Sequence, residues 1–325
     1  MTGFANKIVS VIIVTCGRLN YLKPSLDSIR KQSYENLEVK VINNTFNQEL
    51  EKVIADVYPE FFLYSNFHNP YYCPALNLGI SQSKGEFILC LNDDVVLDEG
   101  FIENALRGFG VNEKIGMVSG KLLRSDRRTI DSAGLFLSCW RTAKERGYGL
   151  KDRGQFEKEE YVFGVNGATA FYRKKMLDEL KINFEYFDSD FHIFYEDLDI
   201  AWRAQNSGWR GYYIPSAIAY HIRGGTVRRQ EGLDKPYARR YLNDVLQVDL
   251  IKNRYFTIIK NESFPGLLIH LPCILLYDLI MWSYLLFFRP RLIKPFLTAS
   301  KEHAKSILRK RELQRMIMQE ILKKA

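Results

Sequence analysis

KGEFILCLNDDVVLD, at residues 84–98, is the segment that says most about the architecture of this chain. Its continuous apolar run at residues 87–91 predicts a strand buried on both faces of a sheet, and the run ends abruptly at Asn92, Asp93 and Asp94. Two adjacent carboxylates therefore follow a core strand, at the edge of an open α/β sheet where ligands bind. Such a pair suits a hard divalent cation that holds a diphosphate, and a solvated turn with ordinary surface acids is the alternative.

The residues before this segment alternate between strand and helix patterns. Strands are predicted at residues 8–15 and 37–42, and the apolar positions Leu22, Leu26 and Ile29 predict a helix between them. This order predicts a right-handed βαβ unit and hence a doubly wound α/β sheet. The absence of a GxGxxG motif after the first strand weakens a dinucleotide-binding interpretation without excluding a mononucleotide. The other elements predicted before the central strand are a helix at 48–57, a strand at 61–64 and a helix at 75–83.

The elements predicted after the acidic pair are less regular. Residues 122–160 are polar and irregular in period, and we expect them to border the active site. The predicted elements are a helix at 101–109, a strand at 115–120, a hairpin-like run at 133–140, a strand at 164–172, a helix ending at Leu180 and a strand at 211–222 broken by Pro215.

A second acidic cluster consists of Glu196, Asp197 and Asp199, at the start of a segment with apolar residues at helical spacing. Carboxylates at a helix N-terminus are stabilised by the helix dipole, so a well-capped helix is one interpretation. The other is a general base that takes a proton from an attacking hydroxyl. The dipole would lower the pKa and the basicity of such a base, which a good leaving group, such as a metal-bound nucleoside diphosphate, would offset.

A histidine and several arginines follow the last predicted strand. His221 ends that strand, where an imidazole could complete an oxygen-rich metal site, although a lone histidine is more often a hydrogen-bonded core residue. Arg223, Arg228 and Arg229 flank the glycine pair at 224–225 and predict a mobile basic loop that closes on phosphates. A solvated basic turn is the alternative.

Composition indicates a globular protein with a basic C-terminal end. The chain has 325 residues, of which 46% are apolar and 26% charged, and its formal net charge is +8. Residues 300–325 contain eight lysines or arginines and three glutamates, which favours contact with lipid headgroups or nucleic acid. Five scattered cysteines without a CxxC pair argue against a disulfide framework and a zinc site. The N-terminus has no signal-peptide pattern, so we expect a cytoplasmic catalytic part.

The segment LLIHLPCILLYDLIMWSYLLFF, at residues 267–288, is long enough to span a membrane. Because Asp278 and Pro272 are costly in lipid, we expect a monotopic or re-entrant pair of helices, broken near Pro272 and seated in the inner leaflet. A helix is predicted at 300–325 and is expected on the membrane surface, with packing on the core or on another subunit as the alternative. Its predicted apolar stripe consists of Ala304, Ile307, Leu308, Leu313, Ile317 and Ile321.

Together these motifs resemble the inverting nucleotide-sugar glycosyltransferases of family 2. The resemblance implies a GT-A fold, that is, a Rossmann-like, doubly wound mixed sheet, with a catalytic domain at 1–230 and a helical, membrane-associating region at 231–325. The segments that carry it are VSVIIVTCGR from residue 10, VINN at 41–44, ALNLGISQSKGEFILCLNDDV at 75–95, GATAFYRKKML at 167–177, and the segment at 187–225 that contains YEDLD and YHIRGG.

The resemblance implies roles for individual residues. Asp94 is implied to bind Mg²⁺ or Mn²⁺ with His221 on the metal side, and Asp197, beside Glu196, to be the catalytic base. The residues predicted to bind the donor are Thr15, Asn43, Asn77, Asp93, Arg223 and Arg228, although a lone asparagine such as Asn77 is also typical of capping or packing. The sequence departs from the family pattern at Asn92, where the first acid of D-x-D is expected, and at Asn43, where an aspartate usually reads the base, which leaves the preferred base open.

Within the family, the chain is most similar to bacterial rhamnosyltransferases that extend polyprenyl-diphosphate-linked saccharides. This similarity implies a dTDP- or UDP-linked donor, with dTDP-rhamnose favoured, and a lipid-linked acceptor. The protein is then expected to act at the cytoplasmic face of the plasma membrane and not to bind nucleic acid. Whether it forms a homo-oligomer is left open. A nucleotidyltransferase, which would release pyrophosphate, and a noncatalytic membrane-bound scaffold with a degenerate fold are the alternative functions.

Overall fold

The computed structural model describes residue 4 and residues 6–45, 47–66, 68–69, 71–223, 227–228, 233–234 and 242–324. Its helices are α1 (Leu19–Arg30), α2 (Gln48–Val57), α3 (Tyr72–Ser81), α4 (Phe101–Val111), α5 (Lys174–Leu180), α6 (Glu196–Asn206), α7 (Asp244–Asn261), α8 (Phe264–Phe288) and α9 (Ile293–Lys324), with 3-10 turns at Ser189–Phe191 and Pro290–Leu292. Its strands are β1 (Val9–Thr15), β2 (Leu37–Asn43), β3 (Phe62–Ser65), β4 (Phe87–Asn92), β5 (Val95–Leu97), β6 (Ile115–Arg124), β7 (Ile130–Ser132), β8 (Leu135–Leu137), β9 (Ala143–Glu145), β10 (Glu160–Val162), β11 (Thr169–Arg173), β12 (Arg210–His221), β13 (Val227–Arg228) and β14 (Leu233–Asp234).

One mixed sheet forms the centre of the molecule. Its strand order is β10-β12-β6-β11-β4-β1-β2-β3, with β5 paired to β12 and β7 paired to β6. The strands β3, β2, β1 and β4 are parallel, and β11 lies antiparallel between β4 and β6. The strands β8 and β9 form a separate two-stranded hairpin. The predicted mixed α/β sheet is therefore confirmed.

Apolar side chains cover both faces of this sheet, which explains the continuous apolar runs in its strands. Along β1, Val11 and Ile13 belong to one core, while Ile12 and Val14 belong to the other, because successive side chains point to opposite faces. The first core contains buried residues of α1, α2 and α4, and the second contains buried residues of α3, α5, α6 and α7. Helices therefore cover both faces, as the prediction of a doubly wound sheet requires.

Two strands of the sheet differ from the prediction. The strand predicted at 164–172 begins only at Thr169, because the backbone before it turns at the end of β4, where the amide nitrogen of Asn92 donates to the carbonyl of Ala168 at 3.0 Å. The strand β12 continues through Pro215 as a single element, with a register shift against β6 between Ile214 and Ile218. A bulge therefore accommodates the proline that was expected to break the strand.

The C-terminal helices α7 and α9 pack on the α/β part through buried charges. Lys260 of α7 donates to Asp188 at 2.7 Å and to Asp199 of α6 at 2.9 Å. Lys310 of α9 also contacts Asp188, and it donates to Asp190 at 2.9 Å. These buried ion pairs join both sides of the proposed boundary at residues 230–231, and the division into two domains stays a prediction.

The predicted apolar stripe of α9 is only partly correct. Ile307 is 1% exposed and belongs to the second core, but Leu308 is 54% exposed. The face that packs on the protein also carries the buried polar residues Lys310 and Gln314, which a search for apolar positions overlooks. Packing on the core, which was the alternative interpretation, therefore describes this helix better than a position on the membrane surface.

The apolar helix α8 is continuous, so the predicted break near Pro272 is wrong. The helix has 25 residues, and the mean hydropathy of its apolar window is 1.8. By length and composition it could cross a membrane. Only 11% of that window is buried in the protein. Asp278 forms an ion pair with Arg254 at 2.6 Å, and His270 contacts Arg141 at 2.7 Å. The polar side chains of this run therefore face partners in the rest of the protein.

Candidate active site

The strands β1, β2 and β4 end side by side and carry polar side chains at their carboxyl ends. Thr15 is in register with Asn43, and Asp93 follows the end of β4. Asp93 accepts a hydrogen bond from the Thr15 hydroxyl at 2.7 Å and one from Arg18 Nη2 at 3.2 Å. Burial raises the pKa of Asp93, and the charge of Arg18 opposes this shift. The predicted donor residues Thr15, Asn43 and Asp93 therefore share one sheet edge with Arg18, which was not predicted as a site residue.

Asn43 is buried and only partly hydrogen bonded. Its Oδ1 accepts from the amide nitrogen of Thr45 at 3.2 Å, while its Nδ2 has no hydrogen-bond partner within the part of the chain that the structure describes. A buried amide donor without a partner is costly, and a carbonyl oxygen on a ligand would satisfy it. The side chain therefore fits contact with a carbonyl oxygen of a nucleobase.

Asp94 and His221 meet at the same edge of the sheet. Nε2 of His221 lies 3.2 Å from Oδ1 of Asp94, and Nδ1 lies 2.8 Å from Oδ2 of Asp131. Burial alone would lower the pKa of His221, but the two carboxylates outweigh it and raise the pKa to about 9. The two carboxylate partners therefore favour the protonated form of the imidazole.

Asp131 is fully buried and also pairs with Arg223, whose Nε lies 2.6 Å from Oδ1. Burial alone would raise the pKa of Asp131, but the hydrogen bond from His221 and the charge of Arg223 hold it well below its usual range. Asp131 is therefore an ionised support that fixes both cationic side chains. It was not predicted from the sequence, because it is a single acid in a segment without a regular period.

A divalent cation fits this edge only with few protein ligands. No group of three or more His, Cys, Asp or Glu side chains able to hold a metal ion occurs among residues 4–324 wherever the structure describes them. Asn92, the first position of the D-x-D pattern, is engaged by the Tyr72 hydroxyl at 3.0 Å. Mg²⁺ is commonly held by one or two carboxylates together with substrate phosphates and water. Asp94, with His221 beside it, fits such an open site.

The N-terminus of α6 places two further carboxylates together. Asp197 accepts hydrogen bonds from the amide nitrogens of Gly167 at 3.1 Å and Leu198 at 2.7 Å. A Cβ on Gly167 would lie 3.3 Å from an oxygen of Glu196 and 3.4 Å from one of Asp197, so a glycine allows this close approach. Glu196 is buried, and its Oε2 has no hydrogen-bond partner among the described residues.

The two carboxylates of this pair hold their protons differently. Burial and the neighbouring Asp197 raise the pKa of Glu196 to about 8. Burial also raises the pKa of Asp197, but two backbone amides and the charge of Arg223 oppose this. When one proton is shared by such a pair, it resides on the group with fewer hydrogen bonds to its charged form. The two backbone amides that donate to Asp197 therefore favour the ionised form of this carboxylate, which is the form that a general base requires.

The backbone that leads into α6 is strained. His192, Phe194 and Tyr195 have φ angles of 61°, 70° and 68°, a region that residues other than glycine rarely occupy. Nδ2 of Asn253, on α7, lies 2.7 to 2.9 Å from the carbonyl oxygens of Phe191, Ile193 and Phe194. Strained backbone persists where the surroundings over-determine it, typically at functional sites. The helix α7 thus holds the segment that delivers the two carboxylates.

Two connections bring Asp197 to the sheet edge that carries Asp94. The first connection is the backbone at 167–168. The amide nitrogen of Gly167 donates to Asp197, and the carbonyl oxygen of Ala168 accepts from the amide nitrogen at the end of β4. Arg223, which pairs with Asp131, also lowers the pKa of Asp197 by its charge. The predicted metal-side residues and the predicted base therefore border one region of the molecule.

Glu145, on β9, is another acid near this region that the sequence did not predict. Its Oε1 accepts from Asn166 Nδ2 at 2.8 Å, and Ser132 donates to its other oxygen. Burial, followed by the charge of Asp197, raises the pKa of Glu145 to about 8. Asn166 in turn accepts from the amide nitrogen of Ala168 at 2.8 Å. Glu145 therefore supports the turn at 166–168 that holds the base.

Other predicted site residues have different surroundings. Both polar atoms of the Asn77 amide bond to the backbone of Tyr186 and Phe187 at 2.7 to 2.9 Å, which makes it a packing residue rather than a donor contact. Asp199, the third acid of α6, pairs with Arg203 and Lys260 in the interior. The side chain of Arg228, as well as residues 224–226 and Arg229, lie outside the described residues.

Comparisons with known proteins agree with this geometry. A model of the family described as glycosyl transferase family 2 matches residues 10–181, which is more than half of the chain. Curated relatives include poly-beta-1,6-N-acetyl-D-glucosamine synthases of Staphylococcus aureus. The protein of strain MSSA476 is 20% identical over 288 residues, which cover 85% of this chain and 63% of the relative. The chain thus spans less than two thirds of the length of these relatives.

Solved structures show the same fold at low identity. GalNAc-T7 with UDP, GalNAc and Mn²⁺ superimposes with a TM-score of 0.58 at 14% identity, covering 78% of this chain and 48% of that one. The mannosyltransferase PcManGT from Pyrobaculum calidifontis, in complex with GDP-Man and Mn²⁺, gives a TM-score of 0.53 at 16% identity, covering 91% and 75%. On the strength of the family match, this chain belongs to glycosyl transferase family 2.

Proposed function

We propose that this protein is an inverting, metal-dependent glycosyltransferase that moves a sugar from a nucleotide donor to a hydroxyl of a lipid-linked saccharide. The observation that carries the proposal is the placement of Asp197, which accepts hydrogen bonds from the amide nitrogens of Gly167 and Leu198, at the turn that also bonds the end of β4, where Asp94 meets His221. Family membership favours this function over a nucleotidyltransferase and over a noncatalytic scaffold.

The proposed reaction is a single displacement. Asp197 takes the proton of the acceptor hydroxyl. At the same time, the oxygen of that hydroxyl forms a bond to the anomeric carbon of the donor sugar. The bond from that carbon to the diphosphate breaks, and the nucleoside diphosphate leaves with the electron pair. A divalent cation held at Asp94 would neutralise charge on the departing diphosphate. Arg18 and Arg223 supply fixed positive charge on the same side.

Thr15, Asn43 and Asp93 are the proposed contacts to the donor nucleoside and diphosphate. The sequence resemblance favours dTDP-rhamnose, with a UDP-linked donor as the alternative. A second candidate donor sugar is N-acetylglucosamine, because the relatives matched over 85% of this chain are named poly-beta-1,6-N-acetyl-D-glucosamine synthases. Both candidates are consistent with the unsatisfied Nδ2 of Asn43, which can donate to a carbonyl oxygen of thymine or uracil.

The proposed acceptor is a polyprenyl-diphosphate-linked saccharide at the cytoplasmic face of the plasma membrane. The helix α8 supports this, because most of its apolar surface is exposed in the protein and its length permits contact with the lipid interior. Leu279, Ile280 and Phe287 are 65%, 61% and 79% exposed. An enzyme attached in this way reaches a lipid-linked acceptor without extracting it from the bilayer.

A thermal-shift panel of nucleotide sugars, with and without Mn²⁺, tests the donor part of this proposal. A ligand that binds only the folded state raises the Tm by an amount that grows with the logarithm of its concentration relative to its Kd. We expect one nucleotide sugar to raise the Tm only when Mn²⁺ is present. A shift with dTDP-rhamnose supports rhamnose, and a shift with UDP-N-acetylglucosamine supports the second candidate. No shift with any nucleotide sugar would contradict the proposal.

A further inference from the structure

Asp197 lines a small cavity that the apolar helix α8 helps to close. The cavity measures about 290 Å³, and its other walls come from the β8–β9 hairpin, the segment before α6, and α7. Its non-acidic lining consists of Thr142, Ala143, Phe194, Tyr195, Leu250 and Tyr277. Apolar and aromatic walls with a few convergent polar groups are typical of ligand sites. The carboxylate proposed as the base thus opens into a lined pocket.

The size of this cavity limits what it can hold. Ligand cavities usually measure about 300–1,000 Å³, so this one is at the lower end and suits a single sugar ring. A wider groove of about 750 Å³ adjoins it along the hairpin and shares Thr142 and Ala143 with it. Phe136, Trp140 and Lys144 also line this groove. The shared residues Thr142 and Ala143 therefore place the two cavities next to each other.

Arg254 fixes the two aromatic residues at the junction. It donates to the carbonyl oxygen of Trp140 at 2.8 Å, pairs with Asp278, and its guanidinium lies 4.2 Å from the ring centroid of Tyr277. The rings of Trp140 and Tyr277 lie 6.3 Å apart. Arg254 is 2% exposed, so this arrangement is built into the protein interior. Two positioned aromatic rings offer apolar faces on which a pyranose can stack.

The same helix carries this junction and the surface proposed to face lipid. Leu275, Leu276 and Leu279, which flank Tyr277 in α8, are 57%, 49% and 65% exposed. The site is therefore within one helix diameter of the apolar surface, about 10 Å. A saccharide attached to a membrane lipid meets both features at once.

We propose that the two cavities form one acceptor site with two sugar positions. The small cavity holds the sugar whose hydroxyl meets Asp197, with Tyr277 as its wall, and the hairpin groove holds the next sugar, with Trp140 as its platform. The chain would then select lipid-linked acceptors of at least two sugars. This inference rests on the proposed function, since it assigns the acceptor of that reaction.

The test compares synthetic long-chain alkyl diphosphates that carry one or two sugar residues, in detergent micelles with the full-length protein. We expect kcat/KM to be about tenfold higher for the two-sugar probe. Trp140→Ala should remove this preference, and Tyr277→Ala should raise the KM of both probes about tenfold while the donor KM stays constant. Tyr277→Phe keeps the ring and should raise the KM of both probes less than Tyr277→Ala does. Tyr284→Ala, on the same helix with its ring stacked on Phe288, is the matched control.

Binding without a donor separates this inference from the proposed function. We expect the two-sugar probe to change tryptophan fluorescence in the absence of any nucleotide sugar, and Trp140→Phe to abolish the change. Such binding without turnover for any donor would refute the proposed function and support the site. Equal use of both probes, no change in fluorescence, or a donor KM that rises with the acceptor KM in Tyr277→Ala would overturn the inference.

Discussion

Nε2 of His221 lies 3.2 Å from Oδ1 of Asp94, although the two residues belong to different motifs that are far apart in the sequence. Asp131 holds the imidazole of His221 in this position. It contacts the other imidazole nitrogen at 2.8 Å and also contacts Arg223 at 2.6 Å. A carboxylate, an imidazole and a guanidinium are thus held in fixed positions at the edge where the parallel strands end. The predictions below follow from this arrangement and from the carboxylates of α6.

Removal of Asp94 should weaken the binding of the metal ion. We expect Asp94→Ala to raise the Mn²⁺ concentration that half-saturates the donor-induced Tm shift by roughly 10–100-fold, since few other protein groups can hold the cation. Asp98→Ala is the control, because Asp98 is an exposed acid a few residues further on. A titration of Mn²⁺ at fixed donor concentration measures the effect. An unchanged midpoint in Asp94→Ala would exclude this carboxylate as a ligand.

Asp197 should be required for transfer but not for donor binding. Because Asn cannot accept the proton, we expect Asp197→Asn to lower kcat by roughly 10²–10⁴-fold or more. The donor-induced Tm shift should persist, since the proposed donor contacts lie at the ends of β1, β2 and β4. Asp178→Asn, which removes a surface charge paired with Lys174, serves as the control. Near-normal turnover of Asp197→Asn would show that another group is the base.

The half-buried acid Glu145 should make stability depend on pH. Its pKa of about 8 in the folded protein exceeds the ordinary value of 4.5, so the folded state binds more protons between these values. Its contribution to the free energy of unfolding is complete below about pH 4.5 and is lost as pH rises through about 8. We expect Glu145→Gln, which cannot ionise, to reduce the fall in Tm between pH 5 and pH 8.5, by roughly the few degrees that ~1 kcal/mol causes.

Glu159→Gln is the matched control for this pH profile, because Glu159 is exposed. Its Tm should follow that of the wild-type protein at every pH. A Glu145→Gln profile parallel to the wild-type one would show that Glu145 is already ionised in the folded protein at neutral pH.

The exposed face of α8 should bind lipid. We expect the full-length protein to sediment with vesicles of mixed neutral and anionic phospholipids, and the double substitution Leu279→Glu and Ile280→Glu to lower the bound fraction several-fold, because charges in hydrocarbon cost roughly 2.5–3.5 kcal/mol each. Glu49→Gln, at an exposed position of α2, is the control. Equal sedimentation of the double variant and the wild type would remove α8 from the membrane contact.

The parallel strands and the helix α2 could be read from the sequence almost to the residue, whereas α3 begins three residues before its predicted start. The helix at 48–57 and the strands around 8–15, 37–42 and 87–91 were predicted with ends that differ from the structure by a residue at most. This accuracy has a physical reason, because these strands are buried on both faces and the helices between them show a regular apolar period. Thr15, Asn43 and Asp94 follow directly from the strand ends.

The rest of the site and the C-terminal helices could not be read in the same way. Asp131 and Glu145 act through contacts with segments about 90 and 20 residues away, and a single acid in an irregular segment carries no pattern that indicates such contacts. The charge of Asp278 suggested a broken helix, but Arg254 from α7 neutralises it. Contacts with residues that are distant in the sequence therefore explain both differences: the roles of Asp131 and Glu145, and the charge of Asp278 within a continuous helix.

The configuration of the product at its anomeric carbon tests most directly whether Asp197 acts as the base of a single displacement. NMR of the reaction, recorded from the first turnovers with the nucleotide sugar selected by the thermal-shift panel, distinguishes the two anomers by the one-bond carbon–proton coupling at the anomeric carbon. We predict that the new glycosidic bond has the configuration opposite to that of the donor, because attack by the acceptor oxygen occurs on the face away from the diphosphate. A product that retains the donor configuration would contradict this mechanism.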